Sequence, residues 1–202
     1  MNDDVERRCT AFEGGRLVAS GPLPDVAARV KAVVDAGTSA PVLVFDDATG
    51  GVVDLDLRGT VDDVVGRLTP ATPTPVEAPV PRGPGRPRLG VVAREVTLLP
   101  RHWEWLATQP GGASVALRRL VEEARRTHEA PDRRRRASEA AYRFMSAMAG
   151  NEPGFEEAAR ALFAGDAAGF DARTAAWPAD VASHARQLAG PAFMEPTGED
   201  GS

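Results

Sequence analysis

Seven prolines fall between residues 69 and 88 of this chain, at positions 70, 73, 75, 79, 81, 84 and 87. Each fixes φ and removes a backbone donor, so neither a helix nor an interior strand can run through them. The segment therefore predicts an extended, semi-rigid linker and a division of the chain at that point.

Charge follows the same division. Residues 1–80 carry 7 basic and 13 acidic side chains. Residues 81–136 carry 13 arginines against 6 acids, and residues 137–202 carry 4 basic groups against 10 acids. The overall charge of −5 thus conceals a net +7 zone between two net −6 ends. Such a zone is the footprint of a protein that meets a polyanion. A bland reading stands beside it: 23 arginines against the single Lys31 suits a composition bias, and arginines on helices are usually solvated.

No run of 18 apolar residues occurs, which predicts no membrane span. Residues 1–8 are polar and lack an apolar core, so no secretory signal is expected there. With Cys9 as its one cysteine, the chain is expected in the reducing cytoplasm.

The expected class is α+β. Gly14-Gly15 between residues 10–13 and 16–20 signals a hairpin. Residues 22–36 show helical spacing, with Pro24 near the start and Gly37 just past the end. Residues 41–46 are apolar, residues 52–57 alternate apolar and acidic, and the turn-prone residues 47–51 between them predict a second hairpin. Thr60 is the expected cap of a helix over 61–68. The predicted order is ββαββα.

Beyond the linker, residues 89–99 read as a strand, Pro100 opens a short helix to 109, and Pro110-Gly111-Gly112 turns the chain. Residues 114–127 predict a helix whose apolar stripe is Ala116, Leu117, Leu120, Val121 and Ala124. Residues 133–136, all arginine, open a further helix to 149, and helical segments follow over 153–165 and 170–189. The expected organisation is a small α+β domain over 1–68, the linker over 69–88, and a strand-helix-helix unit over 89–130. A helical domain over 131–189 and a loose tail over 190–202 complete it.

The run from 94 to 126 resembles the ribbon-helix-helix repressors. Leu99-Pro100 stands where that family joins ribbon to first helix. Ser114–Ala124, SVALRRLVEEA, is similar to its second helix. The resemblance implies a homodimer through residues 89–126 and a ribbon laid in the major groove of DNA. The amides from Gly112 to Ser114 would meet a phosphate. Counting back from Pro100 puts Leu98, Val96 and Arg94 on the groove side. Two of these are aliphatic, so low sequence selectivity is expected. Gly85-Arg86-Pro87 resembles the centre of an AT-hook, which implies minor-groove contact by Arg82, Arg86 and Arg88. Arg94, Arg101, Arg118, Arg119, Arg133 and Arg134 are the expected phosphate contacts.

Enzymatic signals are weak. Asp46, Asp47, Asp54 and Asp56 could gather a hard cation around the second hairpin, although turn and solvent-face roles account for them equally. His102, His128 and His184 have no metal spacing, and Cys9 has no neighbouring histidine. The expectation is a DNA-binding regulator or nucleoid-associated protein with no cofactor. The alternative is an adaptor whose basic zone docks an acidic partner, including its own acidic N-terminal segment. Over roughly residues 9–185, several runs in order (VLVFDDATG, QPGGASVALRRLVEEAR and AAYRFMSAMAG among them) resemble the bacterial domain-of-unknown-function family 2239, which implies a bacterial protein and no assigned activity.

Overall fold

Strand β1, Arg8–Glu13, has no polar face in the usual sense: Cys9, Thr10, Ala11 and Phe12 are all buried. Alternation then sends its side chains to opposite sides of the sheet. Cys9 and Ala11 pack with Leu23, Val26 and Val30, while Phe12 packs with Phe45, Phe144 and Phe170. The strand is therefore central, flanked by β2 (Arg16–Pro22) and β3 (Val42–Asp46) in the order β2-β1-β3, all antiparallel. The structure, a computed structural model, describes residues 7–69, 92 and 94–194.

The first face is covered by α1, Leu23–Ala36, which starts with Pro24 in its first turn and ends at Gly37 with φ 89°. Helix α2, Val61–Leu68, is capped as expected. The Asp63 amide donates to the Thr60 hydroxyl, and the Asp63 carboxylate accepts from the Thr60 amide in return. The later helices are α3 (Pro100–Ala107), α4 (Gly112–Ala149), α5 (Phe155–Ala164), α6 (Ala167–Thr174) and α7 (Ala179–Ala189), followed by a 3₁₀ turn over Gly190–Ala192.

The chain divides into two units. One comprises Met1–Ala71 and Ala130–Ser202, and the other Thr72–Glu129. In the first unit the sheet and the C-terminal helices share one core, in which Phe12, Phe45, Phe144, Met145 and Phe170 are fully buried. The α+β class expected from the sequence is the class observed.

Several elements differ from expectation. Residues 52–57 make a single bridge, Val52 to Phe45, and no strand. The Arg67 guanidinium binds the carbonyls of Asp56 and Arg58, so those acceptors serve α2 instead of a sheet neighbour. The two helices expected over 114–127 and 137–149 are one helix, α4, with Pro131 inside it. Proline there removes one helical donor, and because Pro131 is exposed, water can satisfy the carbonyl left over. The single helix expected over 170–189 is two, because Pro178 excludes helical backbone at the residue before it and caps α7 instead. Residues 190–192, expected to be loose, turn inward and bury Ala192, and the Phe193 ring lies 5.6 Å from that of Phe170.

Candidate functional site

Thr72–Glu129 contains most of the predicted contacts. Arg94–Leu99 runs into α3 without sheet pairing, and Leu99, with extended dihedrals of −66° and 150°, hands the chain to Pro100. The strand expected over 89–99 is thus unpaired across its described residues in the single chain. Gly111 and Gly112, with φ of 81° and 74°, turn the backbone into α4. A β-carbon at either position would be strained, which is why the turn carries two glycines.

The apolar stripe expected on α4 is present but uncovered. Ala116 is buried, whereas Leu120, Val121 and Ala124 are exposed, with Val121 at 57%. On α3, Trp103 and Trp105 are 43% and 48% exposed, and Leu106 is buried. Leu106 and Ala116 are the only buried apolar side chains among the described residues of this unit.

Arg94, Arg101, Arg118 and Arg119 are all exposed, and none forms an ion pair with a described residue. Arg118 is held by its own helix, donating from Nε to the Ser114 carbonyl at 3.1 Å and from Nη2 to the Ser114 hydroxyl at 3.2 Å. Further along α4 three arginines are matched locally, Arg125 with Glu122 at 3.2 Å, Arg135 with Asp132 at 3.0 Å and Arg143 with Glu139 at 3.7 Å, whereas Arg126, Arg134 and Arg136 form no ion pair with a described residue. Arg133 and Arg134 are exposed but belong to the other unit, so the predicted basic zone is shared between two units. Arg82, Arg86 and Arg88, and the hook-like residues 85–87 around them, lie outside the described residues.

The acidic hairpin residues serve as turn and anchor groups. Asp46 Oδ1 accepts from the amides of Ala48 and Thr49 at 2.8 and 2.9 Å, and its Oδ2 accepts from Arg7 Nε. Burial works to raise the Asp46 carboxyl, but Arg7 and the two amides outweigh it and hold it below the ordinary range. Arg58 holds exposed Asp56 well below that range. No group of three metal-ligating side chains occurs among the described residues.

A polar site that the sequence reading did not single out lies beside this turn. Asp47 Oδ1 accepts from the Thr10 hydroxyl at 2.8 Å and stands 3.6 Å from Nε2 of His184, a side chain only 5% exposed. Phe12 and Phe144 enclose the imidazole, with Phe144 edge-on at a centroid distance of 4.7 Å. Burial pushes the His184 pKa down, and the Asp47 charge only partly restores it. The available signal was a histidine on the apolar face of α7 between Val181, Ala185 and Leu188. Nothing local to that helix names Asp47 as its neighbour.

Gly50 packs the turn directly onto α4. Its φ is 65°, and a β-carbon there would sit 1.9 Å from the Ala140 carbonyl oxygen. Arg143 Nη1 also donates to the Thr49 carbonyl at 3.1 Å. Beside this contact lies a cavity of about 380 Å³ lined by Asp47, Arg133, Arg136, Gln187 and an apolar floor.

No described helix is long and apolar enough to cross a membrane. Neither curated proteins nor solved structures gave a match to the chain. Residues 8–189 match a family model described as an uncharacterized protein conserved in bacteria (DUF2239), and over that span the chain belongs to this family.

Proposed function

We propose that the chain is a DNA-binding protein, a regulator or nucleoid-associated factor, that works as a homodimer through residues 89–126. One observation carries the reading. Among the described residues of Thr72–Glu129 an exposed apolar stripe accompanies five arginines that have no ion pair, Arg94, Arg101, Arg118, Arg119 and Arg126. Water-exposed Trp103, Trp105 and Val121 gain roughly 25 cal/mol per Å² on being covered. A second copy supplies the same stripe and brings the unpaired stretch over 94–99 a strand partner. Pairing two copies doubles the uncompensated arginines, and each one that meets a phosphate releases counterions.

Arg118 and Arg119 follow the glycine turn by less than two helical turns, near amides that favour an anion. Val96 is exposed on the stretch that would form the ribbon, which favours backbone contact over base reading. The chain outside this unit carries the balancing acidic charge, together with Arg133 and Arg134 of the expected phosphate contacts.

Fluorescence anisotropy with a labelled random duplex tests this directly. Affinity is expected to fall linearly with salt on a log–log scale, with a slope of about −0.9 per phosphate neutralised. Absence of a signal at about 50 mM salt and micromolar protein removes the DNA reading, since non-specific binding is strongest at low salt. Binding instead to an acidic polypeptide would assign the same arginines to a protein partner.

A further inference from the structure

We propose that the sheet-containing unit has a binding site for a small zwitterion of the amino-acid type, in the cavity between the 46–50 turn, α4 and α7. All its lining residues belong to one unit. The volume, about 380 Å³, is within the range of small-molecule pockets, roughly 300–1,000 Å³. The proposal is independent of DNA binding.

The cavity carries opposite charges that do not neutralise each other. On one wall is Asp47, whose side chain is 15% exposed. Its Oδ1 takes the Thr10 hydroxyl, and no arginine or lysine pairs with it among the described residues. The one titratable neighbour, His184, is enclosed by aromatic rings, and its buried Nε2 has no hydrogen-bond partner among the described residues. Burial favours the neutral form of the His184 imidazole.

Arg136 lines the same cavity. Its Nε donates to the Asp132 carbonyl at 3.2 Å, which fixes the stem and leaves the terminal nitrogens for a carboxylate. No ion pair joins Arg136 to Asp47 or to any other described residue. Arg133 adds positive potential one helical turn away, and Gln187 adds an amide. The apolar part of the lining is Ala48, Ala137, Ala140, Leu188 and Pro191.

A free phosphate would satisfy the arginine but face the Asp47 carboxylate. A simple amine would do the reverse. A molecule with an ammonium for Asp47, a carboxylate for Arg136 and an apolar body for the floor satisfies all three. Gly50 and Thr49 pack the acidic turn directly onto α4, the helix that carries Arg136.

Isothermal titration of the full-length protein with L-leucine and L-phenylalanine tests the site. The comparison ligands are 4-methylpentanoate, isopentylamine and inorganic phosphate. At least one amino acid is expected to bind below about 10 mM, and removing either charged end should weaken it by about tenfold or more. Arg136→Ala, at an exposed position, should weaken binding by about tenfold without lowering the melting temperature. Asp47→Asn should reduce the amino acid to the affinity of its carboxylate analogue. Failure of both amino acids overturns the proposal. So does equal binding of 4-methylpentanoate or isopentylamine, preferential binding of phosphate, or unchanged affinity in Arg136→Ala.

Discussion

The two units treat the same kinds of residue in opposite ways. In the sheet-containing unit Phe12, Phe45, Phe144 and Phe170 are fully buried in one core, although Phe163 is exposed, and the α4 arginines Arg135 and Arg143 have acidic neighbours. Among the described residues of Thr72–Glu129 most large apolar groups are outside, Leu106 excepted, and five of the six arginines lack such neighbours. A closed core explains its own stability. An open stripe with uncompensated charge is explained by what it meets. The difference teaches where to expect a structural role and where to expect association.

The largest expected effect falls on the closed core. Phe144→Ala removes a fully buried ring that contacts Phe12, Phe45 and His184, and should lower unfolding free energy by about 3–5 kcal/mol in urea melts. Trp105→Ala, in the other unit, should change the urea transition of the dilute protein by less than about 0.5 kcal/mol. Similar losses from both would erase the contrast.

Next comes Val121→Asp, which places a charge in the exposed stripe. Dimerisation should weaken by about a hundredfold, because a desolvated unpaired carboxylate costs several kcal/mol. The thermal transition of the dilute protein should hardly move. A drop in that transition with unchanged association would relocate Val121 to an internal contact.

Arg118→Ala combined with Arg119→Ala is expected to lower DNA affinity uniformly across sequences. The salt slope should become shallower by about 0.9 for each phosphate that is no longer neutralised. Arg135→Ala, whose guanidinium already pairs with Asp132, should leave the slope unchanged. A reversed ranking would show that local ion pairs do not mark which arginines are available.

The smallest effect is on pH dependence. The folded state holds His184 below its ordinary value of 6.5, so the unfolded chain binds the proton more readily. Above 6.5 both states are neutral there and stability is full. As pH falls below 6.5 the unfolded state gains protons first, and stability declines. His184→Gln should flatten the decline measured by denaturant titration between about pH 7 and 5. An unchanged decline would mean that other groups cause it.

Legibility in the sequence also divided along local and distant lines. Gly14-Gly15, Gly37 and Thr60 mark ends that depend on their own few residues, and the structure has the hairpin, helix end and cap there. Residues 52–57 have strand-like alternation, but Arg67 takes the carbonyl of Asp56, and that of Arg58 just beyond, from eleven and nine positions away. Pro131 reads as a break, yet an exposed helix can leave one carbonyl to water. The arginines of the DNA reading were visible as a charge run, while their local pairing was not. The cavity lining that includes Asp47, Arg136 and Gln187 comes from three separate segments, and only their packing brings them together.

Sedimentation equilibrium of the full-length chain across micromolar concentrations is the most direct test of the central claim, that a second copy covers the stripe on Thr72–Glu129. The account predicts a monomer–dimer equilibrium that Val121→Asp shifts to monomer. A wild-type chain that stays monomeric at every concentration up to about 100 µM, where a functional dimer would be populated, would contradict it.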